Sequence, residues 1–334
     1  MTSPILTRRR LLEAGAATAA SLAAPAVWAA PLAKAERGKL TVGISVDAAS
    51  FMPAFIGVAR SWKEQGLDVE LTSFRGDAEV SQALAGDSLD ITLQSTDGLI
   101  NLINAGQEAI GFYAGCNQAD FAWCAQPTTK DWAQLKGSGA GISTFGSLTD
   151  QLTRYVLRRH GLEPEKDVSI IQAGGTASIL QALKANRLGL AILSPPFKWM
   201  AEEAGYTRLG SQAEDIAPQW PKHVYIAKKK FIEQNPNTLK HFLRGHVEGL
   251  RLAKRDPDFA VKVLIDRLKW EPGYAKRAYQ EVLPSYDERG HLPEPRTMDV
   301  FWKIEEQGGS VKEPWPTAKL LDDRFIKSFE EWAA

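Results

Sequence analysis

Short runs of hydroxyl side chains stand where apolar strand-like segments give way to helices, and these are the residues best suited to chemistry on a bound group. The fullest run is Ser143-Thr144-Phe145-Gly146-Ser147-Leu148-Thr149-Asp150. The hydroxyls of Ser143, Thr144 and Ser147, a glycine at 146 that permits close approach, and a helix start at Leu148 could together hold an oxyanion. Free N–H groups and the positive end of the helix dipole face outward at such a point. Ser147 or Thr149 could instead simply cap the helix. Gln94-Ser95-Thr96-Asp97 follows another strand, with Ser95 and Thr96 as ligand contacts or as caps. Asp47 to Phe51 follows the first strand, where Asp47 could meet a cationic group and Phe51 stack on a flat one. A solvated carboxylate and a core ring are the plain alternative. Gly174-Gly175-Thr176 makes a tight turn whose Thr176 is either a contact or the cap of a helix at Ala177. Ser194 and the aromatic set Trp220, His223 and Tyr225 lie near the points where the chain is expected to cross between two lobes.

Covalent, redox and metal chemistry find little support. There is no Gly-x-Ser-x-Gly elbow, no phosphate-binding loop and no His-Glu-x-x-His, and Gly137-Ser138-Gly139-Ala140-Gly141 lacks the helix and downstream acid of a dinucleotide fingerprint. The 5 histidines are scattered, and His241 and His246 are spaced five apart, off a shared helix face. Cys116 and Cys124 flank a turn-like run between two apolar segments, so a disulfide across a hairpin-like connection and two buried thiols are both open. Neither a metal, a cofactor nor an enzymatic activity is expected.

The elements that must position the hydroxyls follow an alternating pattern. Leu40–Ser45, Leu67–Ser73 and Leu89–Leu93 read as strands, each followed by a helical period at Pro53–Gln65, Ala78–Ala85 and Leu99–Ala105. A second set runs through Ala140–Ser143, Leu148–His160, Val168–Gln172, Thr176–Asn186 and Leu188–Leu193. Such alternation marks βαβ units and parallel sheets. A strand at His223–Lys228 precedes consecutive helices at Pro236–Lys254, Pro257–Leu268, Pro272–Leu283, Pro295–Gln307 and Trp315–Trp332, several opened by a proline that suits a first turn. The expected fold is α/β with two lobes: residues 36–125 begin lobe 1, 126–220 form lobe 2, and 221–334 return to lobe 1 and add the C-terminal helices. A cleft between such lobes is where small ligands bind.

Residues 1–35 are set apart. Thr7-Arg8-Arg9-Arg10-Leu11-Leu12-Glu13 precedes an alanine-rich apolar run from Ala14 to Ala30, the layout of a twin-arginine export signal, and the run is short for a membrane-spanning helix. The expected location is periplasmic. The whole chain has 40 basic and 40 acidic residues. Without residues 1–29 it keeps 37 against 39, a net charge of about −2, which gives nucleic acid no concentrated basic face.

Thr41-Val42-Gly43-Ile44-Ser45, Phe51, Pro53 and Trp62-Lys63-Glu64-Gln65-Gly66-Leu67-Asp68-Val69-Glu70-Leu71 resemble the opening of periplasmic solute-binding proteins of ABC importers. Within these, the chain resembles the branch handling nitrate, sulfonates, taurine and thiamine-pyrimidine precursors. The likeness continues through Ala83-Leu84-Ala85-Gly86-Asp87-Ser88-Leu89-Asp90-Ile91, Leu135-Lys136-Gly137, Ala182-Leu183-Lys184-Ala185-Asn186-Arg187 and Ser194-Pro195-Pro196-Phe197. It departs at Arg187-Leu188-Gly189-Leu190-Ala191, which lacks the carboxylate usual there, and at Ser194-Pro195, where relatives often have Glu-Pro. The resemblance implies a periplasmic-binding-protein type 2 fold, cleft residues at Gln94 to Thr96, a small-molecule ligand, a membrane permease as partner, and a monomer. Two rivals are a pyrimidine-synthesising enzyme of the same fold, whose cysteine-rich iron motif this chain does not reproduce, and a non-transport sensor domain.

Overall fold

The computed structural model describes residues 32–333. The expected export signal therefore lies almost wholly outside the described residues.

Ten strands form two five-stranded mixed sheets with helices around them. In chain order these are β1 (Lys39–Ile44), β2 (Asp68–Ser73), β3 (Ile91–Gln94), β4 (Ala109–Gln118), β5 (Ala122–Ala125), β6 (Gly139–Ile142), β7 (Ser169–Gln172), β8 (Leu190–Leu193), β9 (Thr207–Ser211) and β10 (Gln219–Lys228). The first sheet has the order β2-β1-β3-β10-β4 and the second β7-β6-β8-β5-β9. Within each, three strands pair in parallel, and β10 and β5 enter antiparallel to both of their neighbours. Strands β3, β5 and β8 are buried along their whole length, the mark of strands covered on both faces.

The chain passes from the first sheet to the second at Ala119–Phe121 and returns at Gln212–Pro218. Ala122–Ala125, grouped with lobe 1 by its place in the sequence, pairs with β8 and β9 and so belongs to the second sheet. The same pairing corrects the disulfide expectation. Cys116 lies in β4 and Cys124 in β5, strands of different sheets rather than arms of one hairpin, and both are free, buried thiols.

The C-terminal helices close over the first sheet. Pro236–Arg255 buries Leu239, Phe242, Leu243, Val247 and Leu250, at helical spacing, and Pro stands in the first turn of four of these helices. Trp62 stacks on Phe242 at 4.7 Å and its Nε1–H donates to the Phe242 carbonyl at 2.9 Å. Only a glycine at 245 admits that ring, because a Cβ there would lie 2.3 Å from Trp62 Cδ1. The expected helix over Trp315–Trp332 is instead three short helices, Thr317–Leu320, Arg324–Lys327 and Phe329–Trp332. Leu321 is drawn out of helical geometry to bridge Gly111 of β4, and the Asp322 N–H donates to the Gly111 carbonyl. No helix among the described residues is long and apolar enough to cross a membrane.

Candidate ligand-binding site

Helix starts from both sheets meet around one small cavity of about 50 Å³. From the first sheet's side come Ser45, Ala48 and Ser50 after β1, Gly76 and Asp77 at the start of the helix Asp77–Ala85, Ser95 after β3, and Lys222 and His223 of β10. The second side supplies Ser143, Leu148 and Thr149 around the start of Leu148–Arg159, Gly175 and Thr176 at the start of Thr176–Lys184, and Ser194 after β8. Phe121, in the first crossing, also faces it.

The local chemistry of each start differs. Ser95 is a true N-cap, its Oγ accepting from the Gly98 N–H at 3.0 Å, while its own hydroxyl donates to Asp77 Oδ2 at 2.8 Å. Ser147 caps nothing with its side chain. It joins Ser143 and Thr149 in a ring of hydroxyls with O···O distances of 2.7–2.9 Å, and the Ser143 N–H donates to Thr149 Oγ1. Thr176 is the first helical residue rather than the cap, which is Gly175, and its hydroxyl lies 3.0 Å from that of Ser194.

Of the residues singled out by sequence, Ser95, Ser143, Thr176, Ser194 and His223 line the cavity. Phe51 stands one layer behind, stacked on the His223 ring at 4.2 Å. Gln94 and Thr96 are buried beneath it. Gln94 Oε1 accepts from Ser81 and Thr96 Oγ1 donates to the Pro221 carbonyl at 2.7 Å. Thr144 and Ser147 are buried beside it. Gly146, at φ 72°, accepts a hydrogen bond from Asn101 Nδ2 at its carbonyl. Three residues lie elsewhere: Asp47 pairs with Arg267 at 3.2 Å, Trp220 sets its edge to Phe301, and the Tyr225 hydroxyl bonds His246 Nδ1 in the first core.

Sequence reasoning did not single out Asp77, Lys222, Ser45, Ser50, Gly76 or Phe121. Asp77 follows the same strand-to-helix rule as the others and was findable; Lys222 carries no local signal, because its partner arrives from the other crossing. That partner is Asp120, with Lys222 Nζ 2.5 Å from Oδ1 and both side chains almost fully buried.

The electrostatics favour an acceptor-rich guest. Burial raises the Asp77 carboxyl's pKa against the lowering effect of its Ser95 hydrogen bonds, so it holds its proton more readily than a free carboxyl. Burial, then the Lys222 ammonium, hold His223 well below the usual imidazole range and therefore neutral. The helix starts and the set of hydroxyls can then solvate negative charge in the cavity. Among the described residues, no group of three His, Cys, Asp or Glu side chains is arranged to hold a metal ion.

Comparison with known proteins agrees with this architecture. A protein of Bordetella bronchiseptica RB50 superposes with a TM-score of 0.77 at 22% identity, over 90% of this chain and 99% of its own. The periplasmic aliphatic sulphonate binding protein SsuA of Escherichia coli superposes with a TM-score of 0.67 at 14% identity, over 86% of this chain and 92% of its own. These likenesses establish the periplasmic-binding-protein fold. YtlA of Bacillus subtilis (strain 168), named as a binding protein, is 22% identical over 78% of this chain and 87% of its own. The model of the NMT1-like family matches residues 33–264, a span that contains every strand of both sheets and every residue lining the cavity, and the chain belongs to that family.

Proposed function

We propose that the protein is an extracytoplasmic solute receptor that binds a small organic anion, of the sulfonate, nitrate or aromatic carboxylate type, and delivers it to the permease of an ABC importer. The observation that carries this reading is the meeting of helix starts and hydroxyls from both sheets in one cavity. A ligand held there touches both lobes at once, so it stabilises the closed arrangement by its differential affinity for it, and the closed form is what the permease recognises. The fold relative in Escherichia coli is named for binding an aliphatic sulphonate. The reading includes export by the twin-arginine route, a periplasmic monomer, and binding without catalysis.

A thermal-shift screen followed by calorimetry tests it, using taurine, alkyl and aryl sulfonates, nitrate, aromatic carboxylates and thiamine precursors. Ligand at about 100 times its Kd should stabilise by about 2.7 kcal/mol. Shifts with anions alone are expected; binding of only neutral or cationic compounds would sink the anion assignment. A second reading, a thiamine-pyrimidine precursor as cargo, draws on Asp77 and Phe121, which offer an amino-heterocycle an acceptor and a flat wall. A shift with the pyrimidine alone would select it.

A further inference from the structure

Lys222 is the only lysine or arginine among the described residues lining the cavity. Its ammonium is already answered. Nζ lies 2.5 Å from Asp120 Oδ1 and 4.8 Å from the centre of the Phe121 ring, with the two charged side chains 3% and 5% exposed. Asp120 stands in the first crossing between the sheets, and Lys222 near the start of β10, directly after the second. In the same wall, two polar atoms have no partner: Ser50 Oγ and His223 Nδ1, on residues 2% and 4% exposed. A buried polar atom without a partner is costly, so a cavity whose wall holds two of them beside a buried ammonium is suited to a polar guest.

Resting on the solute-receptor reading, we propose that Lys222 is the cation that selects an anionic ligand and that Asp120 is its internal competitor, a carboxylate the ligand must partly replace at the ammonium. A carboxylate fixed against Nζ neutralises the charge an incoming anion would use, and so sets the affinity below what the lysine alone would give. The competition also confers selectivity, because a neutral isostere has nothing with which to draw Nζ away from Asp120.

Calorimetry with methanesulfonate and its neutral isostere methanesulfonamide tests the pair, with circular dichroism on each variant to verify folding. Wild type is expected to prefer the anion at least tenfold. Asp120→Asn is expected to strengthen methanesulfonate binding about tenfold and leave methanesulfonamide unchanged. Lys222→Met is expected to erase the preference. Because Asp120→Asn leaves a buried ammonium without its counter-ion and could unfold, the double variant Lys222→Met/Asp120→Asn, which removes both charges, provides a second measure. It should fold and show no preference for the anion over the neutral compound. Anion binding indifferent to all these substitutions, or weakened by Asp120→Asn in folded protein, would overturn this inference alone. A wild type and Asp120→Asn that bind no anion at all would overturn the anion reading with it.

Discussion

Gly76→Ala should weaken ligand binding while sparing the unliganded protein. Gly76 opens the helix Asp77–Ala85 on the first sheet's side, and its φ of 162° is extended backbone open to any residue. An alanine Cβ there would lie 2.6 Å from Thr144 Cγ2 and 2.8 Å from Thr144 Oγ1, atoms of the loop after β6 on the other side. Comfortable contact between such atoms is about 3.5–4.0 Å, so the two sides must part by about 1 Å at this point. Overpacking of that size costs about 1–3 kcal/mol, which, if levied only on the closed form, lowers affinity about 5- to 150-fold. On the proposed hinge closure the open lobes carry no overlap, so melting without ligand should shift by the equivalent of about 0.5 kcal/mol or less. The assay is calorimetry with the tightest ligand from the screen, alongside scanning calorimetry of the free protein. Thr144→Ala removes both offending atoms and leaves only Cβ, at 3.3 Å, so the double variant should recover most of the loss. Unaltered affinity in Gly76→Ala, or a loss that Thr144→Ala does not relieve, would refute the idea that closure presses these two residues together.

Three further outcomes are expected. Asp97 and Glu305 are buried, interacting carboxyls; burial raises both, and Glu305 adds repulsion at Asp97. An acid raised on folding contributes stability that is complete below its unfolded pKa of about 4 and is lost as pH climbs through the folded value. Glu305→Gln should therefore match wild type in urea melts at pH 4 and exceed it at pH 7; a variant equally or less stable at pH 7 contradicts this. Cys116 and Cys124, both pushed up to about 12 chiefly by burial, should resist thiol reagents in native protein and react only after unfolding, whereas prompt native labelling or a disulfide-containing mass would contradict the free, buried assignment. Trp62→Ala should cost about 3–5 kcal/mol in urea unfolding, since it empties a fully buried site and leaves the Phe242 carbonyl without its donor; a loss below about 1 kcal/mol would mean that the surrounding helices collapse into the space.

The fold was legible where its causes are local. Apolar strands followed by helical periods placed the parallel strands of both sheets, because burial on two faces leaves a run such as Leu190-Ala191-Ile192-Leu193 apolar throughout. Strand-end hydroxyls were readable for the same reason: Ser95, Ser143, Thr176 and Ser194 sit at strand ends and helix starts and line the cavity. What escaped depends on residues far apart in the chain. Phe51 looks like a ligand platform until His223 arrives to cover it, and Asp47 looks free until Arg267 reaches it from a C-terminal helix. Lys222 and Asp120 are separated by a whole lobe of sequence, and Leu320, Leu321 and Phe325 keep a helical period that pairing with β4 overrides.

That last pairing bears on how the protein can be handled. β4 is the outer strand of its sheet, and an uncovered strand rim recruits other chains. The stretch around Leu321 and Asp322 occupies part of this rim, tied to Gly111 by its backbone, while Phe325 packs its ring against Phe112 from β4 at 5.8 Å. Trimming the chain before Thr317 for crystallisation or display would uncover a sticky rim, and material so shortened should accumulate as aggregates in chromatography. Fusions and labels therefore belong beyond Trp332, where the rim keeps its cover.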